Sequence, residues 1–275
     1  MNIVVVCQAR LNSTRLPRKV LLPLSGKPLI ARFMDRVLCS RLATTVVVAT
    51  TTDSVDDELA NDCSARGYEV FRGHPTDLLD RHYMAGKAYG ADVVVKIPSD
   101  CPLIDPLIID RVLTAFLSKS NDVDFVSNLH PASYPDGNDV EVMTMSILEK
   151  AWQSATQPYE REHSTPWLWD GNPDVRCMNV LWDNHVDHSM THRWTIDYPE
   201  DYLFINAVYD ALLPRNPQFH LEDVLSLLQE RPEIAAVNAH LAGVNWYRDH
   251  LGELRTITTN DTRSFPAPSI QHESN

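Results

Sequence analysis

The strongest constraint on the fold of this chain is an alternation: short β-branched runs are followed by longer stretches with helical periodicity. NIVVVC (residues 2–7), TVVVAT (45–50) and DVVVKI (92–97) are nearly continuous apolar runs, so strands made from them must hide both faces. Such strands need helices on either side, and the amphipathic stretches near 28–41, 54–66, 77–90 and 105–118 supply them. Asp53 or Ser54 is placed to cap the second of these helices, and Gly67 to close it. The expectation is an α/β fold, a three-layer α/β/α arrangement around a mostly parallel sheet.

After about residue 120 the strict alternation ends. The sequence predicts strands at 123–127 and 139–144 flanking a Pro/Gly turn at Tyr134–Gly137, then helices at 146–156 and 160–170. Strands near 175–182 and 192–197 and helices at 199–212, 220–230 and 232–241 follow. We read this as one domain over 1–255 carrying a small added lobe at about 125–195. Residues 256–275 are rich in Thr, Ser, Asn and Pro without periodicity, which predicts a mobile tail.

Composition narrows the function. The chain of 275 residues is 44% hydrophobic and 22% charged, enough for a sizeable core and too apolar for wholesale disorder. Lys and Arg number 24 against 37 Asp and Glu, a net charge of −13, which argues against broad binding to nucleic acid or to an anionic membrane. No run approaches a membrane span, and MNIVVVC meets Arg10 too soon for a signal peptide. The five cysteines form no CxxC pair, so a cytoplasmic protein with reduced thiols is expected.

Cations are therefore scarce, yet QARLNSTRLPRK (8–19), directly after the first strand, gathers Arg10, Arg15, Arg18 and Lys19 with the hydroxyls of Ser13 and Thr14. A loop leaving the carboxyl end of a parallel strand is where open α/β sheets bind ligands, and guanidinium forks with backbone amides suit a polyphosphate. The loop has neither GxxxxGK[ST] nor GxGxxG; the alternative reading is a solvated basic turn. Two carboxylates also end apolar strands: Asp100 in IPSDCPLID (97–105) and Asp197 in RWTIDYPEDY (193–202). Across a crevice they could share Mg²⁺ with a nucleotide's phosphates, although an Asp before Pro is also a common turn or cap. DVD at Asp122–Asp124 imitates a glycosyltransferase metal motif but lies at the edge of a candidate strand with solvated acids, and His185, His188 and His192 have helical spacing but sit in a loop-like stretch; both read as decoys.

These stretches together resemble the cytidylyltransferases, the group containing CMP-KDO synthetase and the SpsF-like spore-coat polysaccharide enzymes. ARLNSTRLPRKVLLPLSGKPLI (9–30), VATTTDSV (48–55), KIPSDCPLIDP (96–106) and WTIDYPEDY (194–202) fall in the family's order, and the resemblance covers roughly residues 1–215. It implies a Rossmann-like nucleotidyltransferase that couples CTP to a small anionic acceptor and releases pyrophosphate. It places Arg10, Ser13, Arg15 and Lys19 on the triphosphate, Ala9 among the other nucleotide-binding residues, Asp100 and Asp197 on Mg²⁺, and Thr50, Thr51 and Arg72 near the cytosine or ribose. Arg72 could equally pair with Asp77 or Asp80 on the surface. VFRGHPTDLLDRHY (70–83) departs from the KDO-enzyme pattern and resembles the SpsF-like branch, as do YPDGNDVEV (134–142) and EREHSTPW (160–167). Tyr134, Asp136, Asn138, Glu141, Glu160 and His163 are the acceptor-side residues this implies. The family likeness and the Trp-rich second half point to a homodimer. The rivals are a glycosyltransferase of GT-A-like fold using a nucleotide sugar and a nucleotide-binding protein without turnover.

Overall fold

The computed structural model describes residues 1–183 and 186–264. In chain order the strands are β1 (Ile3–Gln8), the short hairpin pair β2 (Pro23–Leu24) and β3 (Lys27–Pro28), β4 (Thr45–Thr51), β5 (Glu69–Gly73), β6 (Val93–Lys96), β7 (Phe125–Ser127), β8 (Glu141–Thr144) and β9 (Cys177–Asn179). Seven of them form one sheet in the order β5-β4-β1-β6-β8-β7-β9. β1 pairs in parallel with β4 and β6, and β4 with β5; β8 runs antiparallel between β6 and β7, and β9 lies parallel to β7. The sheet is mostly parallel, and the strands from residues 125–179 extend it.

Strand alternation sorts the side chains into two cores. Ile3, Val5 and Cys7 of β1 face one layer with Val93 and Val95, while Val4, Val6 and Val94 face the other. Helices α1 (Leu29–Val37), α2 (Asp57–Ala65) and α4 (Pro106–Ser118) cover the first face through Phe33, Leu59 and Phe116. Helices α3 (Leu78–Ala88), α5 (Met145–Ser154), α6 (Pro158–His163) and α7 (Pro166–Trp169) cover the second. Each such buried aliphatic or aromatic side chain contributes about 1.5–3 kcal/mol. A third cluster forms around α8 (Pro199–Leu212), α9 (Leu221–Glu230) and α10 (Pro232–Ala236), which pack Phe204, Tyr209 and Leu227 against Leu29 and Leu103.

Several local expectations change. Asp53 leads into a 3₁₀ turn (Ser54–Asp56) without a side-chain cap bond, whereas Gly67 closes α2 at φ +81° as expected. β5 was not anticipated, because its burial is only partial. The helix over 160–170 breaks in two at Ser164, φ +66°, since Pro166 has no N–H to continue the first segment. The stretch 192–197 forms no strand; Arg193 makes a single parallel bridge to Asp136. Thr256 and Arg263, from the segment read as a tail, dock on the body: Thr256 N donates to Asp170 Oδ1 at 2.8 Å and Arg263 N to Gly243 O at 2.8 Å. Residues 265–275 and His185 lie outside the described residues.

Candidate active site

The loop after β1 is fixed by backbone donors and one buried acid. Ala9 N donates to Ala49 O at 3.1 Å, and Leu11 N to Asp56 Oδ1 at 2.7 Å. Asp56 Oδ2 accepts from the Thr51 hydroxyl, which ties the loop to the end of β4. Asp56 had no distinguishing signal in a run of acids that reads as a helix start. Beyond it, the 3₁₀ turn Lys19–Leu21 carries Lys19 inward.

Lys19 Nζ lies 2.8 Å from Asp100 Oδ2, 3.1 Å from Asp197 Oδ1 and 2.6 Å from Ile196 O. Its three N–H donors are thereby all used. Arg15 reaches the same Asp197 Oδ1 at 2.6 Å. The two distant aspartates do meet, therefore, and the basic loop supplies the cations between them. Burial alone would lower the Lys19 pKa, but Asp100 and Asp197 outweigh it and hold the ammonium above its ordinary value. Burial opposes ionisation of Asp197 too, yet Lys19, Arg15 and Arg193 keep its pKa well below the usual carboxylate range.

Arg193, fully buried, was not singled out by sequence because it opens an apolar run. Its guanidinium contacts Asp201 Oδ1 at 2.9 Å, Asp197 Oδ2 at 3.1 Å and Asp136 Oδ2 at 3.3 Å. Asp201 also accepts from the backbone N–H groups of Asp197 and Tyr198, both at 3.0 Å. The PDG turn brings Asp136 to this cluster because Gly137, φ +112°, lies against the Trp194 backbone: a Cβ there would stand 2.7 Å from Trp194 C.

A cavity of about 610 Å³ opens beside these groups. Arg15, Asp100 and Asp197 line it, together with Tyr134, Asp136, Asp139, Glu141 and His163. Burial, with neighbouring acids, pushes Asp136 up to about 8 and Asp139 up to about 6; Arg193 offsets Asp136 only in part, being shared with Asp197 and Asp201. Glu141 goes the other way, to about 2: burial is outweighed by Lys96 at 2.7 Å and by His130. His163 is lowered to about 3 by burial and by Lys96, and its ring stacks on Trp246 at 3.8 Å. Trp246 and Tyr247, outside any element read from the sequence, and Asp261, from the segment read as a mobile tail, also line it.

Other sequence candidates sit elsewhere. Asn138 does not line the cavity; its Oδ1 accepts from Asp105 N at 3.1 Å and its carbonyl from Asn128 Nδ2 at 2.7 Å, so it braces two loops. Glu160 is also remote: its Oε2 accepts from Thr156 N and Gln157 N at 3.0 Å each, capping α6. Thr50 is buried at the end of β4. Arg72 pairs with neither Asp77 nor Asp80 but with Asp57 at 2.6 Å, and donates to Thr51 O and Asp53 O. Arg10 is exposed and Ser13 half-buried on the loop, where Ser13 Oγ accepts from Leu16 N at 3.4 Å. Asp124 of the DVD run binds Arg176 at 2.7 Å.

Among the described residues, no three His, Cys, Asp or Glu side chains form a ready-made metal cage. Asp100 and Asp197 nevertheless present hard oxygens in the cavity lining, in surroundings where acids outnumber cations. That donor set suits a divalent ion whose remaining ligands are phosphate oxygens and water.

Comparison with known proteins follows the same lines. The cytidylyltransferase family profile fits residues 4–223. The chain is 29% identical over 239 residues to the spore coat polysaccharide biosynthesis protein SpsF of Bacillus subtilis (strain 168), covering 85% of this chain and 97% of that protein. A cytidylyltransferase from Leptospira borgpetersenii serovar Hardjo-bovis superposes with a TM-score of 0.80 at 32% identity, over 86% of this chain and 97% of that one. CMP:2-keto-3-deoxy-manno-octonic acid synthetase complexed with CTP superposes with a TM-score of 0.57 over 76% of this chain and 99% of the other; at 19% identity that likeness shows the fold alone.

Proposed function

The chain belongs to the cytidylyltransferase family, and from that premise we propose that it transfers a cytidylyl group from CTP to a small anionic acceptor, releasing pyrophosphate with the help of Mg²⁺. The observation that carries this reading is the convergence of Arg15, Lys19, Asp100 and Asp197, with Arg15 and the two aspartates lining the cavity. An acceptor oxygen attacks the α-phosphorus in line while pyrophosphate leaves. Positioning and charge neutralisation dominate such transfers.

Arg15 and Lys19 offset charge on the phosphates, with Arg10 and Ser13 on the same loop. Asp100 and Asp197 would hold the Mg²⁺, which when bound offsets phosphate charge that the two cations leave uncompensated. Tyr134, Asp136, Glu141 and His163 face the acceptor. A phosphate, phosphonate or carboxylate acceptor brings its own nucleophilic oxygen and needs no strong base. A sugar hydroxyl would need one, and Asp139, raised to about 6, faces the cavity in a state suited to proton exchange near neutrality.

The test is pyrophosphate release from CTP with a panel of sugar acids, phosphorylated acids and phosphonates, with ATP, GTP and UTP run alongside. Release with CTP and at least one acceptor supports the reading. Tight CTP binding without turnover favours a nucleotide-binding protein, and consumption of a preformed nucleotide sugar favours a glycosyltransferase. The reading includes a cytoplasmic homodimer, for which the exposed Leu107 and Leu181 offer apolar surface; a monomer with full activity in light scattering and assay would remove that part.

A further inference from the structure

The ammonium of Lys19 sits where a metal ion would be expected to sit. Two carboxylates and the Ile196 carbonyl surround Nζ at 2.6–3.1 Å, all three donors are spent, and the side chain is almost entirely buried. Oxygen cages of this composition ordinarily hold hard cations. In the absence of nucleotide, Lys19 also meets a structural need, since Asp100 and Asp197 brought together without a cation would repel each other in a partly dry site.

We propose that Lys19 is a tethered stand-in for the divalent cation, one that closes the metal site until nucleotide arrives. This rests on the metal-assisted CTP reading above. Lys19 cannot serve the phosphates and fill the carboxylate cage with the same three donors. For Lys19 to turn to the triphosphate, a metal ion must take its place between Asp100 and Asp197, and for a metal ion to enter, the phosphates must draw Lys19 away. Metal and nucleotide therefore bind as a coupled pair, each weakly alone, and the coupling is reciprocal. Arg15 and Arg193 also contact Asp197, so in this exchange Asp197 would keep cationic partners after Lys19 leaves. Lys19 is thus a positioning residue for the metal as well as a phosphate contact.

The experiment measures Mn²⁺ binding to the full chain by electron paramagnetic resonance without nucleotide, in the wild type, Lys19→Met and Lys19→Gln. It is paired with thermal unfolding at increasing Mg²⁺. The wild type should bind Mn²⁺ only weakly, and both variants at least about tenfold more tightly, because the competing ammonium is gone. Divalent ions should raise the melting temperature of the variants and leave the wild type nearly unmoved, a rescue that a merely structural lysine would not show. Tight Mn²⁺ binding by the nucleotide-free wild type, or variants with no gain in affinity or rescue, overturns the proposal. The wild-type measurement alone can do so if the variants fold poorly. Gain and rescue without pyrophosphate release in any assay would instead retain the stand-in and reject the transferase.

Discussion

Two lysines meet carboxylates in and beside the same cavity, and they are built in different ways. Lys96 and Glu141 are register partners on the adjacent antiparallel strands β6 and β8, so the sheet ladder itself sets their 2.7 Å contact. Lys19, Asp100 and Asp197 come from three segments outside the sheet, the first and the last 178 positions apart in the chain. A backbone bond from Ile196 N to Asp100 O at 2.8 Å joins two of those segments. The first centre is one charge against one, buried and locked. The second sets two partly exposed acids against a lysine as buried as Lys96, and its partners can change. Placement on strands makes a fixture; placement on loops and turns outside the sheet makes a site that can exchange ligands.

The largest effect should come from breaking the locked pair. Lys96→Met leaves buried Glu141 with only His130, 3.7 Å away, near its charge among the described residues and should cost about 3–5 kcal/mol of stability, read by urea unfolding. If the variant is as stable as the wild type, the distinction between the two centres fails. In the exchangeable centre the loss should appear in turnover. Asp100→Asn or Asp197→Asn should lower CTP-dependent pyrophosphate release by about 10²–10³-fold, on the scale of a deleted transition-state contact. Normal turnover in both would place the chemistry elsewhere in the cavity.

A smaller change tests the far wall. Trp246→Ala removes the ring stacked on His163 and should raise the acceptor KM about tenfold, with CTP affinity unchanged in calorimetry. An equal loss of CTP affinity would mean that the two ends of the cavity are not separate.

The gentlest effect is on pH dependence, and it sharpens the contrast by its sign. Asp136 and Asp139 hold protons in the folded state that the unfolded chain releases above pH 3.8, so folding stability should fall as pH rises from there through about 6 and then about 8. Asp139→Asn should flatten the lower part of that decline in thermal unfolding. Glu141 acts oppositely: its contribution is present above its ordinary 4.5 and is lost as pH falls through about 2. Stability that rises steadily from pH 4 to 8 would contradict both raised values.

Much of this was legible in the primary structure, for reasons particular residues show. Val4 to Val6 are apolar on both faces and can only be a covered strand, so the loop after them had to open at the sheet's carboxyl edge, carrying Arg15 and Lys19 to the site. Asp100 was visible as an acid just past a strand; Asp197 was picked out as the end of a strand at 192–197 that does not form, and it reaches the site from a loop. Glu160 was misplaced because Q-P-Y-E is a capping box as well as a piece of motif, and the cap accounts for the observed bonds. Arg193 was overlooked because a buried arginine looks like part of the apolar run around it until its three acids are in place. Trp246 and Tyr247 were passed over because nothing local marks a segment that closes a cavity from a distance.

The sequence by itself determined the three-layer architecture, the position of the basic loop and the family likeness, because side-chain periodicity and strand-end placement are properties of neighbouring residues. Only the tertiary structure decided that Lys19 rests between Asp100 and Asp197, that Arg193 braces Asp136, and that residues beyond 240 wall the cavity. Those pairings follow from the paths of loops far apart in the chain, and an ion pair a few ångströms long leaves no periodic trace along the sequence that makes it.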